Sequence, residues 1–95
     1  MMIKDININD FIFKGYQIPT QNTSVLIIHG NNGFLACGYI NLEVANKRND
    51  VCALVTGVKN LEDMLEAKVF KLSNAALKAG IKEGMTGKEA LLLMY

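Results

Sequence analysis

The 95-residue sequence has one proline, Pro19, one histidine, two cysteines and no tryptophan. Each scarcity excludes something. With a single proline and no stretch of low complexity, no segment reads as a linker, and the length holds one domain over residues 1–95. Cys37, Cys52 and His29 are the only thiol or imidazole ligands, and neither cysteine sits in a Cys-x-x-Cys pair, so no metal set is expected. Two cysteines without a disulfide framework point to reduced thiols and a cytoplasmic location. No apolar run approaches the ~20 residues of a membrane span, and Met1–Met2 leads into Lys4 and Asp5 without a signal-peptide core.

Charge is balanced and unclustered. Ten basic and nine acidic residues give a net +1, and the only adjacent basic pair is Lys47–Arg48, with Asp50 close behind. A nucleic-acid surface needs a basic stripe with interleaved aromatics, so none is expected, and Lys47–Arg48 is read as the end of a helix. Gly84-Met-Thr-Gly-Lys88 invites a phosphate-loop reading that fails on spacing, because positions 82 and 89 would need Gly and Ser or Thr but hold Lys82 and Glu89. There is no Gly-x-Gly-x-x-Gly fingerprint and no Gly-x-Ser-x-Gly elbow. The chain offers neither a cofactor motif nor a complete catalytic set.

What it has in surplus is apolar side chains. Counted with glycine and without tyrosine, 53 of 95 residues are apolar, about 56% against the usual ~45–50%. A 10.5 kDa chain buries roughly 64% of its unfolded surface as a monomer and should need fewer such residues, not more. The surplus implies burial against further copies of the chain, a homo-oligomer.

The patterning predicts an α+β fold, β-rich over residues 1–39 and helix-rich in its second half. Met2–Ile8 alternates, with Ile6 and Ile8 on one parity, and Asn9–Asp10 turns it into a partner strand over residues 11–18. Residues 24–29 are apolar on both parities, so both faces should be covered. Gly30–Gly33 reads as a four-residue hairpin loop into a strand over 34–39. Asn41 caps a helix over 42–48, residues 51–58 form another strand covered on both faces, and Asn60 caps a second helix with Asp63 three residues on. A helix over 72–79 should stop at Gly80, and Thr86 with Glu89 forms a capping box for a last helix through Met94. Strands buried on both faces need two covers, of which the helices supply one. The N-terminal strands or another subunit must supply the other.

In the hairpin register that pairs His29 with Phe34, Cys37 faces Leu26. Alternation then puts His29 and Cys37 on opposite sides of the sheet, about 10 Å apart along it at ~3.4 Å per residue, which argues against a Cys–His dyad. A site is expected instead at two strand-to-helix junctions, Cys37-Gly-Tyr-Ile-Asn41 and Thr56-Gly-Val-Lys-Asn60. Residues 40–50 are close to the shortest crossover that joins parallel strands, so both junctions would emerge at one sheet edge, where ligands bind in such units. Helix starts there would favour an anion and make Cys37 a candidate thiolate.

At these residues the chain resembles the YunC-like family of small uncharacterised bacterial and archaeal proteins, a domain of unknown function. The resemblance lies in Gly33-Phe-Leu-Ala-Cys-Gly38, Gly57-Val-Lys-Asn-Leu-Glu-Asp-Met-Leu65 and Gly80-Ile-Lys-Glu-Gly-Met-Thr-Gly-Lys-Glu-Ala-Leu91 and covers nearly the whole chain. It implies an α+β fold whose N-terminal β region mediates tetramerisation, and no known reaction. The chain departs from the family pattern at Asn41, where aspartate is common, and at Ala53–Leu54, where Gly-Arg is common. Two functions follow. The first is a homo-oligomeric binding or structural domain, partnered by itself. The second is an enzyme or sensor for a small anionic metabolite at the junction edge, with Cys37 as reactive or contacting group and Gly38, Asn41, Thr56, Gly57, Lys59 and Asn60 around it.

Overall fold

The computed structural model describes all residues, Met1–Tyr95, and forms one six-stranded mixed sheet with four short helices. The strands are β1 (Met2–Ile8), β2 (Phe11–Pro19), β3 (Ser24–Gly30), β4 (Gly33–Ala36), β5 (Cys52–Leu54) and β6 (Lys71–Leu72), and they lie in the sheet in that order. The helices are α1 (Leu42–Arg48), α2 (Leu61–Glu66), α3 (Asn74–Lys78) and α4 (Gly87–Leu92). Every neighbouring pair is antiparallel except β4 and β5, which run parallel through the α1 crossover.

Local chemistry sets most element ends. Asn9 and Asp10 take φ of 52° and 71°, the positive pair that a two-residue hairpin turn matching strand twist requires. Asn41 Oδ1 accepts the Glu43 N–H at 2.9 Å, and Asn60 Oδ1 accepts the Asp63 N–H at 2.8 Å, so both expected N-caps form. Lys47 and Arg48 lie in the last turn of α1, which Asn49 closes in the left-handed region at φ 59°. Thr86 and Glu89 satisfy each other's backbone in a complete capping box, which holds the Glu89 carboxyl below its ordinary pKa.

Several boundaries differ from the sequence reading. The β3–β4 register is as expected, His29 opposite Phe34, but pairing continues to Gly30–Gly33 and leaves a two-residue turn at Asn31–Asn32 instead of a four-residue loop. The C-terminus holds that turn, since Asn32 N–H donates to the Met94 carbonyl and Asn32 Nδ2 to that of Tyr95. The strand over 34–39 ends at Ala36, because the Cys37 carbonyl leaves the ladder to accept the Ile40 N–H. The strand over 51–58 shrinks to Cys52–Leu54, since β4 gives it no partner beyond the Val55 N–H bonded to Ala36. The helix over 72–79 is Asn74–Lys78. Leu72 pairs with Ala53 in β6, and Ser73 becomes the cap, its Oγ accepting the Ala76 N–H. The last helix stops at Leu92, two residues short of Met94. The second half is thus less helical than expected, with helices of five to seven residues and two strands of its own.

All of these short helices but α1 fill one face of the sheet. Ile6, Phe13, Leu26, Ile28 and Leu35 point to this inner face and pack with Leu61 and Met64 of α2 and Leu91 of α4 in a single buried cluster. Lys4 of β1 pairs with Glu62 of α2, which lowers the Glu62 pKa. On the outer face only α1 is present. Its Ala45 seals Ala36, Cys52 and Leu54, with Phe34 and Ile27 alongside, so β5 is buried on both faces as expected. β3 is not, because Ile27 is only half-buried and His29 is exposed.

Two glycines differ sharply in what a methyl group would meet. At Gly87 it would strike the Met64 carbonyl oxygen and lie 2.8 Å from Leu35 Cδ2, because α4 starts wedged between α2 and β4. At Gly38 it would meet nothing within 4 Å. Gly87→Ala is expected to cost about 3 kcal/mol, and Gly38→Ala less than about 0.5 kcal/mol, in urea unfolding. Equal costs would contradict the wedge.

Cys52 lies wholly buried beneath α1, and desolvation, helped by the Asp50 charge, pushes its thiol from 9.0 to about 12. The folded state therefore keeps a proton that the unfolded chain releases near pH 9. The resulting stability is full below that pH and is lost progressively as pH rises from about 9 to 12. Unfolding midpoints measured between pH 8 and 11 should fall more steeply for the wild type than for Cys52→Ala, and parallel slopes would contradict this burial.

Candidate functional site

The parallel pairing of β4 and β5 delivers both junctions to one edge of the sheet. There they form a partly open pocket of about 300 Å³. Cys37, Gly38 and Tyr39 come from the first junction and Thr56, Gly57 and Val58 from the second. Thr23 and Ser24, at the start of β3, close the third side. Four of the residues picked from sequence, Cys37, Gly38, Thr56 and Gly57, are thus brought together. Asn41 lies outside, in a shallow apolar cleft between α1 and Phe34, and Lys59 and Asn60 line no cavity.

The sulfur of Cys37 has a defined place. Cys37 is 6% exposed, and its N–H donates to the Leu26 carbonyl at 3.0 Å. In a regular ladder the Leu26 N–H would return to the Cys37 carbonyl. That carbonyl is turned toward Ile40, and the Leu26 N–H donates instead to Cys37 Sγ at 3.4 Å. The thiol completes a strand end that the turn would otherwise leave unsatisfied. His29 is on the other face, stacked on Phe34 with centroids 6.1 Å apart, so the two do not meet.

The walls of the pocket carry no charge and mix polar groups with the apolar Val58 and the ring of Tyr39. The Thr23 and Thr56 hydroxyls have no partner within the protein, Ser24 Oγ accepts from Gln17 Nε2 at 3.3 Å, and the Tyr39 hydroxyl lies 3.4 Å from Thr20 Oγ1. The backbones of Gly38, Tyr39, Thr56 and Gly57 make no hydrogen bond inside the chain, so their donors and acceptors are left to solvent or to a ligand. Gly57 holds φ at +73°, and neither glycine has an atom within 4 Å of where a side chain would begin, which keeps the cleft open.

At the two adjoining helix starts the picture is less favourable to an anion than the sequence suggests. α1 and α2 have seven and six residues, their capping asparagines already bond first-turn N–H groups, and Glu43, Glu62 and Asp63 place carboxylates in the same turns. The Lys59 N–H is taken by Asp63 Oδ2 at 3.0 Å.

Tyr39 and Val58 lie within the two junctions expected from sequence, without having been singled out, whereas Thr23 and Ser24 were missed. A signal for these two was present. The register that sets Leu26 against Cys37 places Ser24 across from Tyr39 when extended by two residues, so the start of β3 had to flank the first junction.

Comparisons with known proteins agree with this architecture. A crystal structure of a protein of unknown function, TA1206 from Thermoplasma acidophilum, superposes with a TM-score of 0.94 at 35% identity, covering 99% of this chain and 92% of that one. The uncharacterised protein YunC of Bacillus subtilis is 29% identical over 86 residues, 86% of this chain and 85% of its own length. The model of the domain of unknown function DUF1805 matches residues 36–94, from the end of β4 to the C-terminus and so including both junctions. This chain belongs to the DUF1805 family.

Proposed function

We propose that the chain is a self-associating binding module, whose copies pack through the outer face of β1–β3 and each present the junction pocket. The observation that carries this reading is the composition of that face. Ile3, Tyr16, Ile27, Ala36 and Leu54 form one cross-strand row, because the registers pair them in succession. α1 covers only the β4–β5 end of the row. At the other end Ile3 is 51% exposed, and its neighbours on the same face, Ile12 and Ile18, are 48% and 41% exposed.

A second copy is the occupant that fits. Three strands spaced ~4.8 Å apart and up to nine residues long present a flat patch of roughly 14 by 30 Å, in projection about half of the ~800 Å² that each partner gives to a standard interface. Loops around the patch and the exposed face of α1, which includes Val44, can supply the remainder. The charges on the patch cancel, since Lys14 Nζ lies 2.5 Å from Asp5 Oδ1. Two copies can therefore stack these outer faces without repulsion, at the ~10 Å spacing of packed sheets. A tetramer is the assembly this reading favours, and the cytoplasm, with its reduced thiols, the compartment. Catalysis through Cys37 has less support, because the residue is almost wholly buried and His29 lies on the opposite face of the sheet.

Sedimentation equilibrium at micromolar concentration should give a mass that is a multiple of 10.5 kDa. Ile12→Lys, at an exposed position, should leave the fold intact and weaken association at least tenfold by placing an unpaired charge in the contact. A wild-type monomer, or a variant that associates as well as the wild type, would contradict the reading.

A further inference from the structure

The junction pocket carries a more specific assignment, which rests on its being the binding site of the proposed module. We infer that it takes a small, uncharged, polyhydroxylated ligand of sugar-like chemistry, and not an anion. No lysine, arginine or histidine lines it, and no carboxylate does either. A charged group brought into it would lose water and find no opposite charge to offset that loss. At the adjoining helix starts Glu43, Glu62 and Asp63 oppose an anion, and the one cation of either junction, Lys59, lies outside the lining.

What the walls do offer is hydrogen bonding of both senses. A hydroxyl donates once and accepts twice, so it is matched by groups that do the same or by a carbonyl beside an N–H. The pocket supplies the first kind in Thr23, Ser24 and Thr56, two of them without a partner in the protein. It supplies the second in the unpaired backbones at Gly38 and Gly57, which the missing side chains leave open to close approach. Tyr39, 56% exposed, adds an aromatic face beside these polar groups, and Val58 an apolar wall. Alternating polar edges and an apolar face are what a ring bearing several hydroxyls presents. The volume, about 300 Å³, is at the small end of the range for ligand pockets and suits a single ring over an extended chain or a dinucleotide.

The test uses the full chain and a fixed set of probes: D-glucose, D-ribose and myo-inositol, with D-glucose 6-phosphate and D-ribose 5-phosphate as charged counterparts. Amide shifts are followed at millimolar probe concentration. At least one uncharged probe should move the amides of residues 38–39 and 56–57 and bind more tightly than its phosphorylated counterpart. Thr56→Val, which removes one unpartnered hydroxyl at constant shape, should weaken that probe by roughly three- to tenfold. Gly38→Leu, which grows a side chain into open space, should abolish binding while the melting temperature stays near that of the wild type. Tighter binding of the phosphorylated probes would overturn the uncharged assignment. Shifts confined to other residues, or no shift with any probe, would overturn the site. Sedimentation of the same samples separates this outcome from failure of the module reading, because loss of the ligand site leaves self-association unchanged.

Discussion

A six-stranded sheet has two faces, and this chain owns enough helix to fill one. Everything distinctive in the structure follows from that shortage. The helices have five to seven residues, too short to be stable alone, and they hold their shape through caps and through the apolar surface they share with the sheet. α2 and α4 are committed to the inner face, where Leu61, Met64 and Leu91 interlock with Phe13, Ile28 and Leu35. α1, the crossover, is the one helix on the outer side, and it reaches β4 and β5 but not the hairpin of β1 and β2. Part of the apolar surplus that composition reveals is exposed on that hairpin, at Ile3, Ile12 and Ile18, and the rest at scattered positions such as Val44, Phe70, Leu77 and Leu93.

The same crossover creates the pocket. A parallel pair must return its chain to the starting edge, and here the return is a seven-residue helix with tight turns at both ends. Both strands then finish side by side, and both chain segments leave the sheet through glycines. The strand ends have more backbone polar groups than the ladder can use. One is satisfied by Cys37 Sγ, and those of Gly38, Tyr39, Thr56 and Gly57, residues that line the cleft, have no partner in the chain. The proposed association face and the junction pocket thus occupy separate parts of the molecule. The outer face of the N-terminal strands lies largely ahead of residues 36–94, the span matched by the family model, whereas both junctions lie within it.

Much of this was legible in the sequence where the determinant is local. Asn41, Asn60 and the Thr86–Glu89 pair cap their helices because the bonds they make span two or three residues. Asn9–Asp10 turns the first hairpin for an equally local reason. The β3–β4 register could be set by its flanking glycines, and from it the separation of His29 from Cys37 follows. Legibility fails where a partner decides. Residues 51–58 look like a long strand because they are apolar, yet only three of them find a ladder, since β4 ends first. Leu72 has a helical context but is drawn into β6 by Ala53, and Ser73, wholly buried, bridges the Asp50 carbonyl and the Cys52 N–H. Thr23 and Ser24 join the pocket from fourteen residues upstream, through pairing alone.

The central claim is that the isoleucines left bare on one chain are covered by another. Methyl NMR with a soluble paramagnetic reagent measures this directly, residue by residue, without reference to molecular mass. The account predicts that the methyls of Ile3, Ile12 and Ile18 are protected in solution nearly as well as those of the fully buried Ile28. Relaxation of all three as strong as that of Leu77, which is 62% exposed on α3, would contradict it.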